Sequence, residues 1–145
     1  MKENQELLEH IYQDAEMSCF TLKKLLEDLK EKDNKIKDAI EDLLEEYHHF
    51  QEEAEECLIN EHCEVKKEGF MAKMGADMGI KKEVEKDNSD ASIADMLIKG
   101  ISMGSLDMEK KLKTYGDKVN KDCLSLAKKF MTFQEKSIEK LKSYL

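Results

Sequence analysis

The sequence has no proline and no tryptophan. No apolar run approaches the roughly 20 residues a membrane span requires, so no membrane-spanning helix is expected. The start, Met1-Lys2-Glu3-Asn4-Gln5-Glu6, is polar and lacks a secretory apolar segment. A cytoplasmic protein is therefore expected, with Cys19, Cys57, Cys63 and Cys123 as reduced thiols. None of the four forms a Cys-x-x-Cys pair, which speaks against a redox or zinc-ribbon motif. There is no phosphate-binding Gly loop, no nucleophile elbow and no basic aromatic platform. The net charge of -9 makes bulk attraction to nucleic acid or to an anionic membrane unfavourable.

What the chain has is charge and helical period. Charged residues make up 39% and apolar residues 40% of its 145 positions, which reads as a long-helix bundle in one domain, residues 1–145. A first helix over about 4–31 carries Leu8, Ile11, Ala15, Cys19, Leu22, Leu26 and Leu29 at three- and four-residue steps. Asp33-Asn34 supplies the turn after it. A second helix over about 35–60 carries Ile36, Ile40, Leu43, Tyr47, Phe50, Ala54 and Leu58. Asn88-Ser89-Asp90 offers N-caps for a third, whose stripe is Ile93, Leu97, Ile101, Gly104, Met108, Leu112 and Tyr115. Gly116-Asp117 stops it, and a fourth helix over about 118–144 turns Cys123, Ala127, Phe130, Gln134, Ile138, Leu141 and Leu145 inward.

Residues 61–87 are too many for a tight turn. Gly69, Gly75 and Gly79 interrupt them, and Phe70, Met71, Met74 and Met78 fall at partial helical spacing. The expected fold is all-α: a ferritin-like four-helix bundle with one long crossover, containing a short helix, between the second and third long helices. The two halves also match weakly, Met17 with Met103, Leu26 with Leu112 and Asn34 with Asn120. The Met run fits adaptable core filling better than soft-metal binding.

The one hint of chemistry is Glu45-Glu46-Tyr47-His48-His49, which holds two overlapping Glu-x-x-His registers. That spacing is the half-site of di-iron and di-manganese bundles. Residues on a helix turn by about 100° per step. With Tyr47 at the centre of the inward stripe, Glu46 lies about 100° and His49 about 160° away, so neither register faces the core. The metal-ligand candidates are Glu16, Glu46, His49 and Glu135, but Glu135 is followed three residues on by Ile138 rather than His. Cys57, His62 and Cys63 could hold zinc only with a fourth ligand from elsewhere.

Tyr47 and Gln134 each sit mid-helix in an apolar stripe. Buried polar groups need partners, and the two are expected to bond to each other in the core, or else each to find a separate partner. Gly100 and Gly104 predict close helix packing against Ala15 and Ser18 of the first helix. The alternative is an intermolecular contact, a homodimer through the third long helix, where Met96 and Met103 form a second apolar edge.

The segment Ile93-Ala94-Asp95-Met96-Leu97-Ile98-Lys99-Gly100-Ile101-Ser102-Met103-Gly104, with Glu139-Lys140-Leu141-Lys142-Ser143-Tyr144-Leu145 at the end, resembles a group of small uncharacterised bacterial proteins of ferritin-like build. The resemblance covers most of the chain and its motifs are structural. It implies the four-helix ferritin-like fold, and the wider superfamily implies iron, manganese or oxygen chemistry. Of that chemistry only the Glu-x-x-His spacing carries over. The expected function is a non-enzymatic binding or structural module with a degenerate metal site and no cofactor. The alternative is a di-iron or di-manganese carboxylate protein that handles iron or oxidants, and a third option is an assembly subunit.

Overall fold

A computed structural model describes residues 2–67 and 69–145, with the backbone alone at Phe70, whose side chain lies outside the described residues. The chain is all-helical: α1 (Lys2–Asp28), α2 (Lys37–Asn60), α3 (Phe70–Lys86), α4 (Asp90–Tyr115) and α5 (Lys121–Lys142). The helix starts are set by side chains. Ser89 Oγ accepts the Ser92 N–H at 3.2 Å to cap α4, and Asn120 Oδ1 accepts the Cys123 N–H at 2.8 Å to cap α5. α2 has no cap from its own N-cap residue, Ile36. Just before it, the Asp90 carboxylate of α4 accepts from the N–H groups of Lys35 at 3.2 Å and Ile36 at 3.5 Å. The first residue of α4 thus anchors the entry into α2.

Two asparagines tie the ends together. At one end Asn34 Nδ2 donates to the Asn88 carbonyl at 2.8 Å and to Asp90 at 2.9 Å. The α1–α2 corner is thereby fixed to the start of α4. At the other end Asn4, 2% exposed, accepts the Asn120 N–H at 3.0 Å and donates to Glu61. Asn4 therefore gathers the start of α1, the end of α2 and the start of α5. Lys111 near the end of α4 meets Glu6 at 3.5 Å. It follows that α1 and α5 run one way while α2 and α4 run the other.

α2 ends without glycine. His62 adopts φ 60°, the left-handed region, and its N–H bonds the Ile59 carbonyl while Cys63 N–H reaches back to Leu58. This is a Schellman cap with histidine where glycine is usual.

α1 is the hub, packing on α2, α3, α4 and α5. Its buried set runs beyond one stripe: Leu7, Tyr12 and Leu25 are at most 2% exposed alongside Leu8, Ile11 and Ala15. α3 packs on α1 alone among its close neighbours. There Lys73 meets Glu16 at 3.5 Å and sits 5.8 Å from the Phe20 ring. The core narrows to an aromatic knot between α2 and α5, where Tyr47 is 4.9 Å from Phe133 and Phe50 is 5.1 Å from Phe130.

Several expectations about faces need correction. Leu145, expected inward, is 63% exposed because α5 ends at Lys142, before it. Ile138 is only half-buried, while Leu126 and Ser137 on either side of its stripe are buried. Gly100, expected at a helix contact, is exposed, and a Cβ built there meets nothing within 4 Å. The apolar residues Met71, Met74 and Met78 of α3 are exposed rather than core-filling.

Candidate functional site

The four long helices each bring one residue to a common point near mid-length. α1 supplies Asp14, α2 Tyr47, α4 Gly104 and α5 Gln134. The Gln134 amide, fully buried, donates to Asp14 Oδ2 at 3.0 Å and to Tyr47 Oη at 3.2 Å. Ser18, one turn along α1, donates its hydroxyl to Asp14 Oδ1 at 3.2 Å. Gly104 makes room: a Cβ there would lie 2.5 Å from Asp14 Oδ2 and 3.1 Å from the Gln134 amide nitrogen. The close approach of α4 to α1 at Gly104 is made against Asp14; Ala15 beside it is buried and Ser18 half-buried.

Electrostatics follow from the burial. Desolvation lifts the Asp14 carboxyl above its ordinary range, opposed by the neighbouring His10 and by the bonds from Gln134 and Ser18. His10, one turn before, is depressed by burial, with Asp14 at 4.0 Å pulling the other way. The Tyr47 hydroxyl is raised well above its ordinary value by burial and then by the Asp14 charge. Gln134 Oε1 and His10 Nε2 are buried with no hydrogen-bond partner among the described residues. His10, Asp14 and Ser18 look like nucleophile chemistry in composition but not in order. Ser18 bonds to Asp14 rather than to the imidazole, so the three do not line up as a serine–histidine–aspartate relay.

The expected metal candidates do not meet. Glu46 and His49 are exposed on the outer face of α2, and Glu135 is exposed on α5. Glu16 is 6% exposed because α3 covers it; it accepts from Tyr12 at 2.9 Å and faces Lys73. Cys57 and Cys63 are half-buried, with Cys63 Sγ donating to the Glu61 carbonyl. The two buried thiols, Cys19 and Cys123, are each pushed up to about 11 by desolvation, which makes them inert. Among the described residues no group of three or more His, Cys, Asp or Glu stands where it could hold a metal ion. The Glu and His set of a dinuclear carboxylate centre does not fit the residues present at mid-bundle, where a tyrosine, an amide and a glycine face one aspartate.

Asp14 and His10 were the residues that sequence reasoning missed. The available signal was the width of the apolar arc on α1, where Leu7, Tyr12 and Leu25 lie outside the single stripe.

In comparisons with family models, curated proteins and solved structures, nothing matches this chain. Among the described residues no helix is long and apolar enough to cross a membrane.

Proposed function

We propose that this chain is a single-domain bundle of ferritin-like build, α3 being the crossover, that acts as a non-enzymatic binding or structural module. The observation that supports this reading is the Asp14–Gln134–Tyr47 cluster. In a ferritin-like bundle the middle of the four long helices is where inward Glu and Glu-x-x-His ligands converge. Here that position is taken by side chains bonded to one another and closed by Gly104. On this reading the metal site is degenerate, and the bundle works through its surface in a cytoplasmic setting. Metal analysis of protein purified without chelator tests it. Iron and manganese far below one per chain is the expected result, and two per chain would establish the rival carboxylate-metal reading.

A homodimer through α4 is a second reading, favoured by Met103 and Leu106, which are 69% and 51% exposed on that helix. Met103→Glu would then lower the sedimentation coefficient; an unchanged value argues against this surface.

A further inference from the structure

Between α2 and α5 the surface opens into a groove of about 1050 Å³. Its floor is apolar, formed by Leu43, Phe133 and Leu141 with Ala39 and Tyr144. One rim, on α2, carries Asp38, Asp42, Glu45 and Glu46. The opposite rim, on α5, carries Lys128, Lys129, Lys136 and Lys140. All eight are exposed.

Among the described residues none of these eight has an ion-pair partner within 4.0 Å. The rims also repeat like charge at helical neighbours. Asp38, Asp42 and Glu46 follow one another four residues apart, as do Lys136 and Lys140. Like charges at that spacing destabilise a helix. The groove thus presents two like-charged rows of opposite sign on either side of an apolar floor, an arrangement complementary to a ligand with one basic and one acidic flank.

We propose that the α2–α5 groove docks an amphipathic helix of another protein. Its apolar ridge would lie on Leu43, Phe133 and Leu141, a Lys/Arg flank along α2 and an Asp/Glu flank along α5. Apolar anchors at helical spacing in a groove give the affinity, and the opposed rims give the selection. Because the two rims differ in sign, the groove also sets the direction of the bound helix: reversing it would exchange its flanks. α2 and α5 themselves do not supply this pattern. α2 has nine acidic residues and one lysine, and α5 six lysines against three acids. Either one, laid in the groove by a second copy, would meet like charge on one rim. A copy related by a two-fold axis through the groove would bring concave surface to concave surface, whereas such an interface must be self-complementary. The proposal rests on reading the chain as a binding module.

The test is fluorescence anisotropy of the full chain with synthetic helices. One peptide carries a Leu/Ala ridge, a Lys flank and a Glu flank; two controls carry Lys on both flanks or Glu on both. The mixed peptide is expected to bind at least about tenfold tighter than either control. Lys129→Glu/Lys136→Glu/Lys140→Glu should weaken the mixed peptide by at least about tenfold and strengthen the all-Lys one. If that variant loses its helical circular dichroism, Glu45→Lys/Glu46→Lys on the other rim, with the all-Glu peptide gaining, is the measure. No preference for the mixed peptide, or a preference unmoved by rim reversal, overturns the proposal. So does a chain that sediments as a dimer and excludes the peptide. A metal-free chain that ignores the mixed peptide refutes the groove alone, whereas two bound metal ions refute the module reading whatever the peptide does.

Discussion

Two glycines four residues apart on α4 do opposite things. A Cβ at Gly104 would collide with Asp14 and crowd Gln134, both held by hydrogen bonds. Gly104→Ala is expected to destabilise by about 1–3 kcal/mol, as overpacking does. A Cβ at Gly100 meets nothing, so Gly100→Ala should stabilise by about 1 kcal/mol, the helix-propensity difference. Urea denaturation of the two variants should give shifts of opposite sign. His62 offers a third residue-level case: at φ 60° its Cβ is strained, and His62→Gly should stabilise by about 0.5–1 kcal/mol. The half-buried pair His10 and Asp14 gives a pH signature. Asp14 is raised, so its contribution is full below its ordinary value and lost as pH rises through the raised one. His10 is depressed, so its contribution is present above its ordinary value and lost as pH falls through the lowered one. The two slopes oppose each other. Asp14→Asn removes the first and should gain on the wild type at pH 7 relative to pH 5. His10→Gln removes the second and should show the reverse. Unfolding free energies of all three proteins at both pH values check this; two variants that track the wild type in parallel would show that neither group titrates differently on folding.

At the scale of elements, α3 stands apart. Its buried described side chains are Val84 and Asp77 only, and its packing is on α1. Local opening follows the number of buried apolar contacts, so α3 amides are expected to exchange with deuterium faster than those of α1, α2 and α5. Equal protection of α3 and α1 would mean that the two open together. The same helix explains what was legible beforehand and what was not. The stripe of α2 could be read directly, Ile40, Leu43, Tyr47, Ala54 and Leu58 all being buried. That helix packs on one side and meets solvent on the other, which is the case a single-stripe reading assumes. The cap Ser89 could be anticipated from local chemistry, whereas Asn120 falls inside the helix expected from about 118 and is instead the N-cap of α5. α1 violates the one-face assumption. α3 covers its Tyr12 and Glu16 side, and α4 approaches its Asp14 side. Polar residues that a wheel places on the flanks thereby become interior. Tyr47 and Gln134 could be found because they interrupt apolar stripes, whereas Asp14 interrupts none. Gly100 was misread because spacing alone cannot say which of two glycines a neighbour approaches.

For the molecule as a whole, charge is distributed by element rather than spread evenly. The net -9 comes largely from α2, with nine acids against one lysine, while α5 is net basic. Two effects then compete as salt is added. Screening relieves repulsion along α2, which stabilises; it also weakens the attraction of α2 for α5 across the groove, which destabilises. The outcome depends on distance. Acids on α2 repel one another at one helical turn, about 5–6 Å between Cβ atoms. The unpaired rims face each other across a groove wide enough that none of these charges comes within 4.0 Å of a partner. The Debye length falls from about 30 Å at 0.01 M to about 8 Å at 0.15 M, so the longer-range attraction is screened more completely than the short-range repulsion. Attraction across the groove nonetheless involves only four lysines against four acids and lies in open solvent, where single pairs contribute little. Net self-repulsion of the acidic chain is the larger quantity. The melting temperature is therefore expected to rise by about 2–6 °C between 0.01 M and 0.15 M sodium chloride, equivalent to about 1 kcal/mol for a chain of this size. Lys129→Glu/Lys136→Glu/Lys140→Glu, which reverses three of the four basic-rim charges, should steepen that rise. A wild-type melting temperature that falls with salt would mean that the rims attract across the groove more strongly than α2 repels itself.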